Sequence, residues 1–365
     1  MKKHGAGLGP GMRMFRGTLV FSMRRRWLTV VLALAAFGMS LFGFGFLQQQ
    51  FFPASDRPEL LVTVNLPKDG SIFATRDDML KIEKLILDDE DVARSSAYIG
   101  GGAIRFYLPL DVQLDNDFIG QFVVVAKDLE ARDRVKGRLE KAFETGFENL
   151  VARVSQLELG PPVGWPVQYR VRAPDVEGVR QAAEKVATVL RESGQVSNVN
   201  FDWNEKNKVL RLVVRQEKAR QVGLSSEGLS EALNRVLSGS TVTQVRDSIY
   251  LIDLLARAEG KERLSLEGIR NLQVNTPDGS AVPLTELVSF SYELDEGYVW
   301  RRDRLPTVTV QAEPRPGLQP ATVDERVAEK LAELRTTLPA GTSIEIGGTV
   351  EKSVQSNSAL IAQVP

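Results

Sequence analysis

Arg301, Arg302 and Arg304 bring three guanidiniums into the stretch WRRDR. Such a cluster can grip carboxylates or phosphates through paired N–H donors. Asp303, Asp295 and Glu296 lie nearby in sequence, so an ion-paired structural group is the competing reading. Other reactive chemistry is scarce. The single histidine, His4, sits in a tail with Gly5, Gly7 and Gly9, and the chain has no cysteine. Imidazole-based nucleophile systems, multi-histidine metal sites, zinc–thiolate sites and disulfides are thereby excluded. Neither Ser-x-x-Lys nor Gly-x-Ser-x-Gly occurs, and no strand precedes the glycine tail to make it a phosphate loop. The sequence reads as that of a protein without enzyme chemistry, metal or cofactor. Its 46 basic and 47 acidic side chains leave a net charge of −1 over 365 residues, so no basic field exists to hold nucleic acid.

The strongest local signal is RRRWLTVVLALAAFGMSLFGFGFLQQQFFP. Residues 27–47 carry no charge. As a helix they extend about 30 Å, enough to cross a bilayer. A cleaved signal peptide has a shorter apolar core and a small-x-small cleavage site, and GFGFLQQQ offers none. Lys2, Lys3, Arg13, Arg16, Arg24, Arg25 and Arg26 all precede the span, and no charge follows it until Asp56. The excess of basic residues predicts a cytoplasmic segment over residues 1–26, a single span over 27–47, and everything beyond on the far side of the membrane.

The outer part divides into α+β pieces. Residues 60–66 (LLVTVNL) read as a strand, followed by a loop and a helix to about residue 87. Thr75 and Asp78 suggest a capping box for that helix, with Met79, Ile82, Leu85 and Ile86 facing inward. Residues 92–99 are a strand, broken by Gly100, Gly101 and Gly102; residues 105–110 and 118–126 are strand-like. A charged helix over 129–143 and a strand over 151–159 complete a first unit spanning 56–160. LGPPVGWPV is a Pro/Gly joint. Strand 167–173, helix 176–192 and strand 196–202 then form only half a unit. Residues 203–296 have another texture, with a hairpin turning at Arg246–Asp247 and a Pro-Asp-Gly turn, and read as an inserted domain. The missing half resumes with an alternating strand at Thr307, Thr309 and Gln311, a helix capped by Thr322 and Glu325 with Val327, Leu331 and Leu334 inward, and a strand over 343–346. The second unit is therefore predicted as 164–202 joined to 297–348. LPKDGSIFATRDDMLKIEKL (66–85) and EPRPGLQPATVDERVAEKL (313–331) look like the same strand–loop–helix unit used in both. Residues 349–365 read as the approach to a further membrane helix.

This arrangement resembles the resistance–nodulation–division (RND) efflux pumps, specifically the periplasmic region of their C-terminal half with its leading membrane helix. FFPASDRPELLVTVNLP is similar to the family's passage from a membrane helix into its first porter strand. QEKARQVGLSSEGLSEAL, with Glu217, Lys218, Ala219, Gly223, Leu224 and Ser225, is similar to its docking-domain pattern. DGSAVPLTELVSF, with Gly279, Val282, Pro283 and Leu284, and WRRDRLPTVTVQAEPRPG match two further stretches. The resemblance implies two ferredoxin-like porter subdomains, the second split by a docking domain, in the bacterial inner membrane. It implies as partners the remaining half of the pump, a homotrimer, a periplasmic adaptor and an outer-membrane channel, besides the lipid bilayer. It implies a cleft between the porter subdomains that takes up substrate, with Tyr98, Phe106 and Tyr107 as candidate lining residues; ordinary core packing is the alternative for each. Protons in these pumps move through ionisable groups inside the membrane, which are costly there and functional by default. The 27–47 span has none, so the chain would not transport alone. The rival reading is a single-span periplasmic scaffold or sensor without transport activity.

Overall fold

The computed structural model describes residues 10–44, 52–147, 149–203, 205–263 and 265–361. Helix α1 (Pro10–Arg24) leads through Arg25 into α2 (Arg26–Phe44). The window Arg26–Gly43 has a mean hydropathy of 1.6, and none of it is buried against the rest of the protein. An apolar surface of that length left uncovered by protein matches a lipid-facing rod. The remainder of the expected span and the glycine tail, His4 included, lie outside the described residues.

The first α+β unit comprises β1 (Glu59–Asn65), α3 (Ile72–Leu87), β2 (Val92–Ile99), β3 (Ile119–Ala126), α4 (Leu129–Gly146) and β4 (Val151–Gln156). Its sheet runs β2-β3-β1-β4, every pair antiparallel. Leu60, Val62 and Val64 project from β1 to meet Met79, Ile82 and Ile86 of α3 and Val135 and Leu139 of α4. That is the period of two meeting the period of 3.6. Leu85, expected inward, is 43% exposed, because it falls off the stripe set by Met79, Ile82 and Ile86. The expected cap at Thr75 is also corrected. Ser71 is the N-cap and accepts from Ala74 N, while Thr75 is buried inside α3 and its hydroxyl donates to Asp117 O at 2.6 Å. Residues 105–110 form no strand. They belong to an irregular loop between β2 and β3 that begins at Gly100 with φ 79°. At Gly102 a Cβ would stand 2.8 Å from that of Gln113, so the loop folds back on itself only with glycine there. Buried Arg132 of α4 donates to Ser55 O at 2.7 Å and Arg57 O at 2.9 Å, tying the segment after the membrane helix to this unit.

Past the joint come β5 (Val167–Arg172), α5 (Val176–Ser193) and β6 (Val196–Phe201). The inserted region follows. It holds β7 (Lys206–Val214), α6 (Gln216–Gln221), α7 (Ser226–Leu237), β8 (Ser240–Asp247), β9 (Tyr250–Ala256), α8 (Gly260–Arg263), α9 (Leu266–Arg270), β10 (Gln273–Asn275), β11 (Ala281–Pro283), α10 (Leu284–Leu287) and β12 (Val288–Glu296). Strands β7 and β12 pair antiparallel along their whole length and carry the chain out to a small core around Leu229, Leu284 and Leu287, and back. The β8–β9 hairpin turns one step later than expected, at Ser248, whose φ is 53°. No residue of either strand is buried, although Val245, Leu251, Leu254 and Leu255 are apolar.

After the insertion come β13 (Arg301–Arg302), β14 (Leu305–Pro314), α11 (Pro320–Thr337), β15 (Ser343–Gly347) and α12 (Gly348–Ile361). Strand β14 takes β5 on one edge and β6 with β13 on the other, and β15 flanks β5. The severed halves therefore share one antiparallel sheet, and one core joins Tyr169, Val171, Val186 and Leu190 from before the insertion to Val308, Val310, Val327 and Leu331 from after it. Its order, with β6 for β2, β14 for β3, β5 for β1 and β15 for β4, repeats that of the first sheet. The two similar stretches both enter a helix from a strand, but one follows the unit's first strand and the other its third. The cap at Thr322 is corrected as well: Gln319 is the N-cap without a side-chain bond, and Pro320 opens the helix.

Candidate functional site

The two units face each other across an open cleft of about 760 Å³. From the first unit come Leu66, Pro67 and Lys68 after β1 and Asp111, Leu114, Asn116 and Phe118 of the long loop; from the second come Trp165, Phe201, Asp202, Trp203, Tyr298 and Trp300. Apart from Phe118, just before β3, its aromatic residues sit where the chain crosses between units: Trp165 in the joint, Phe201 and Trp203 at the exit to the insertion, Tyr298 and Trp300 at the return. Tyr298 and Trp300 meet edge to face with centroids 5.9 Å apart. Buried Trp203 donates its indole N–H to Thr307 O at 2.7 Å. Apolar walls with a few fixed polar groups are the usual make-up of a small-molecule site.

Lys68 crosses the cleft. Its ammonium donates to the Asp202 carbonyl and lies 3.9 Å from the centre of the Tyr298 ring. Burial depresses its pKa to about 8, opposed by the charges of Asp202 and Glu205. Asp202 is raised above the usual carboxylate range, chiefly by burial, although its side chain accepts from Thr309 N at 2.8 Å and Trp203 N at 2.9 Å. In the unfolded chain Lys68 titrates near 10.5, so the folded state holds an ammonium disfavoured by burial below pH 8 and, by releasing that proton first, gains stability as pH rises from about 8 towards 10.5. The wild type should therefore gain stability over Lys68→Met across that interval in paired denaturation curves; parallel pH profiles would refute the assignment.

Outside the cleft lining, Arg153 of β4 pairs with Glu313 of β14 at 2.6 Å, and Asn198 Nδ2 donates to Ala152 O at 2.7 Å. Arg153 also lies 5.4 Å from the Trp165 ring centre. The units thus touch through Lys68 in the cleft and through these contacts beside it.

The residues singled out from sequence lie elsewhere. Tyr98 is half-buried on the edge strand β2. Phe106 and Tyr107 adjoin in the loop with centroids 5.3 Å apart, and Tyr107 packs on a small cluster of Leu61, Leu110 and Leu157. None of the three lines the large cleft. The Arg301–Arg304 group forms a tight hairpin with Asp303 and Arg304 both at positive φ. Its expected neutralising acids pair with other arginines: Asp303 with Arg172 at 2.8 Å, Asp295 with Arg211 at 3.3 Å, and Glu296 with Arg180. Among the described residues, no group of acids or histidines is arranged to hold a metal ion.

The chain thus combines an N-terminal helix long and apolar enough to cross a membrane with two sister α+β units that face each other across an aromatic cleft. The chain belongs to the AcrB/AcrD/AcrF family, whose sequence pattern matches residues 11–365, and this makes it part of an RND-type transporter. It is 21% identical over 362 residues to an uncharacterized transporter of Haemophilus influenzae, covering 97% of this chain and 33% of that protein. The chain thus spans about a third of the length of this relative.

Proposed function

We propose that the chain forms the periplasmic porter and docking portion of an RND-type efflux transporter, and that the cleft between its two α+β units is part of the substrate path. The observation that carries this reading is the cleft: six aromatic side chains, Phe118, Trp165, Phe201, Trp203, Tyr298 and Trp300, gathered from both units around one opening. The β2-β3-β1-β4 order and its repeat support ferredoxin-like porter subdomains over 56–160 and over 164–202 with 297–348. The ribbon β7–β12 and the core it carries suit a docking domain over 203–296. The exposed apolar hairpin β8–β9 suits a neighbour in a homotrimer, and the same outer region suits a periplasmic adaptor and outer-membrane channel. The arginines of α1 and at the start of α2 favour a cytoplasmic N-terminus, with the bulk of the chain periplasmic. With an uncharged apolar span, the chain depends on the rest of the pump for proton coupling. Tyr98, on β2, and Phe106 and Tyr107, in the loop after it, serve the path only if this region rearranges.

The test is binding of N-phenyl-1-naphthylamine, a neutral apolar fluorophore, to the full chain in lipid nanodiscs. Its emission should rise on binding, and Phe118→Ala and Trp300→Ala should each weaken it by about tenfold. Equal affinity in both variants and the wild type would remove the cleft from the path.

A further inference from the structure

The Lys68 ammonium sits in a setting that describes its own ligand. It is half-buried, and among the described residues no carboxylate lies within ion-pair distance of it. A carbonyl and an aromatic face hold it instead. These are the groups that recognise organic ammonium ions. The carbonyl is fixed before anything binds. Asp202 is clamped to β14 through its side chain on Thr309 N and its own N–H on Thr309 O at 3.1 Å, and its carbonyl also accepts from the Tyr298 hydroxyl at 3.2 Å. The field is right for a cation, because Asp111, Asp202 and Glu205 line the cleft and Lys68 is the only basic residue among its described lining. Finally, the parts are divided between units. Lys68 belongs to the first; Asp202 and Tyr298 belong to the second.

We propose that the Asp202 carbonyl and the Tyr298 ring form an organic-cation subsite of the cleft, occupied in this conformation by the chain's own Lys68, and that a ligand ammonium group binds by displacing Lys68. Displacement removes a link between the units at the same moment that the ligand arrives, so ligand binding and loosening of the cleft are one event. The inference rests on the cleft being the substrate path. It goes further in naming the chemical group recognised and the residue that competes with it.

The groups facing the ammonium are Asp202 and Glu205 from the segment after β6 and Tyr298 from the segment after β12, with exposed Asp69 beside it on its own loop. The competitor weakens as it loses its proton. Wild-type affinity for an ammonium ligand therefore rises as pH passes about 8, the value to which burial depresses Lys68.

The test compares phenyltrimethylammonium with its uncharged carbon isostere, tert-butylbenzene, by calorimetry on the full chain in nanodiscs. Lys68→Met empties the subsite and should tighten phenyltrimethylammonium binding by about tenfold, whereas Lys68→Arg should not. In Lys68→Met the pH dependence above neutrality should vanish. Binding of tert-butylbenzene should be the same in all three proteins. The proposal is overturned if Lys68→Met leaves ammonium affinity unchanged or lowers it, or if the uncharged isostere gains as much. If tert-butylbenzene binds and phenyltrimethylammonium binds no protein, the cation subsite is wrong and the cleft reading stands. If neither binds and N-phenyl-1-naphthylamine also fails, both fall.

Discussion

Trp203→Ala should destabilise the protein by about 3–5 kcal/mol, measured by denaturant unfolding with circular dichroism. Trp203 is 3% exposed and packs in the core of the second unit, at the point where the chain leaves for the insertion. Truncation opens a cavity and also strips the Thr307 carbonyl of its indole donor. Trp203→Phe keeps most of the packing and loses the hydrogen bond, so it should cost about 1–2 kcal/mol. The comparison separates the two contributions. A Trp203→Ala protein as stable as the wild type would mean that the junction does not depend on this side chain.

The second large effect belongs to the link between units. Arg153 and Glu313 are each about four-fifths buried, 18% and 21% exposed, and they pair at 2.6 Å across the interface. Removing either leaves the other charge in a partly desolvated place, so Arg153→Ala and Glu313→Ala should each cost about 1–3 kcal/mol. The double variant should cost clearly less than the sum, because no orphaned charge remains. Additive single effects would show that the pair contributes nothing as a pair. Since Arg153 also faces Trp165, the same variants should loosen the aromatic joint, visible as altered tryptophan emission.

Most of the fold was legible because its signals are local and periodic. LLVTVNL alternates, α5 shows a clear apolar stripe, and the Pro/Gly joint separates the units. Even the split unit could be foreseen, because half a unit before the insertion and half after it each lack a partner. The failures were of two kinds. Helix starts were misplaced where a capping-type residue was used elsewhere: Thr75 bonds Asp117 across the unit, and Pro320 opens α11 by its fixed φ rather than by a side chain. Residues 105–110 look like a strand in composition, but the preceding glycines let the chain double back before it can pair. The cleft was harder to see. Its aromatics are scattered from Phe118 to Trp300, five of them at three junctions, so no window shows them together. Aromatics crowded at every crossing between units were the available clue. Lys68 gave no signal at all, because its importance arises from Asp202 and Tyr298, brought near only by the fold.

The most direct test uses the absence of native cysteine. Leu114 lines the cleft and is 79% exposed, whereas Leu108, 85% exposed, lies on the same loop outside it. A single cysteine is placed at each position in turn, and its maleimide labelling rate is followed in membranes with and without N-phenyl-1-naphthylamine. The fluorophore should slow labelling in Leu114→Cys and leave Leu108→Cys unchanged. Equal slowing at both positions, or none at Leu114→Cys, would contradict the assignment of the cleft as the place where ligand enters this transporter.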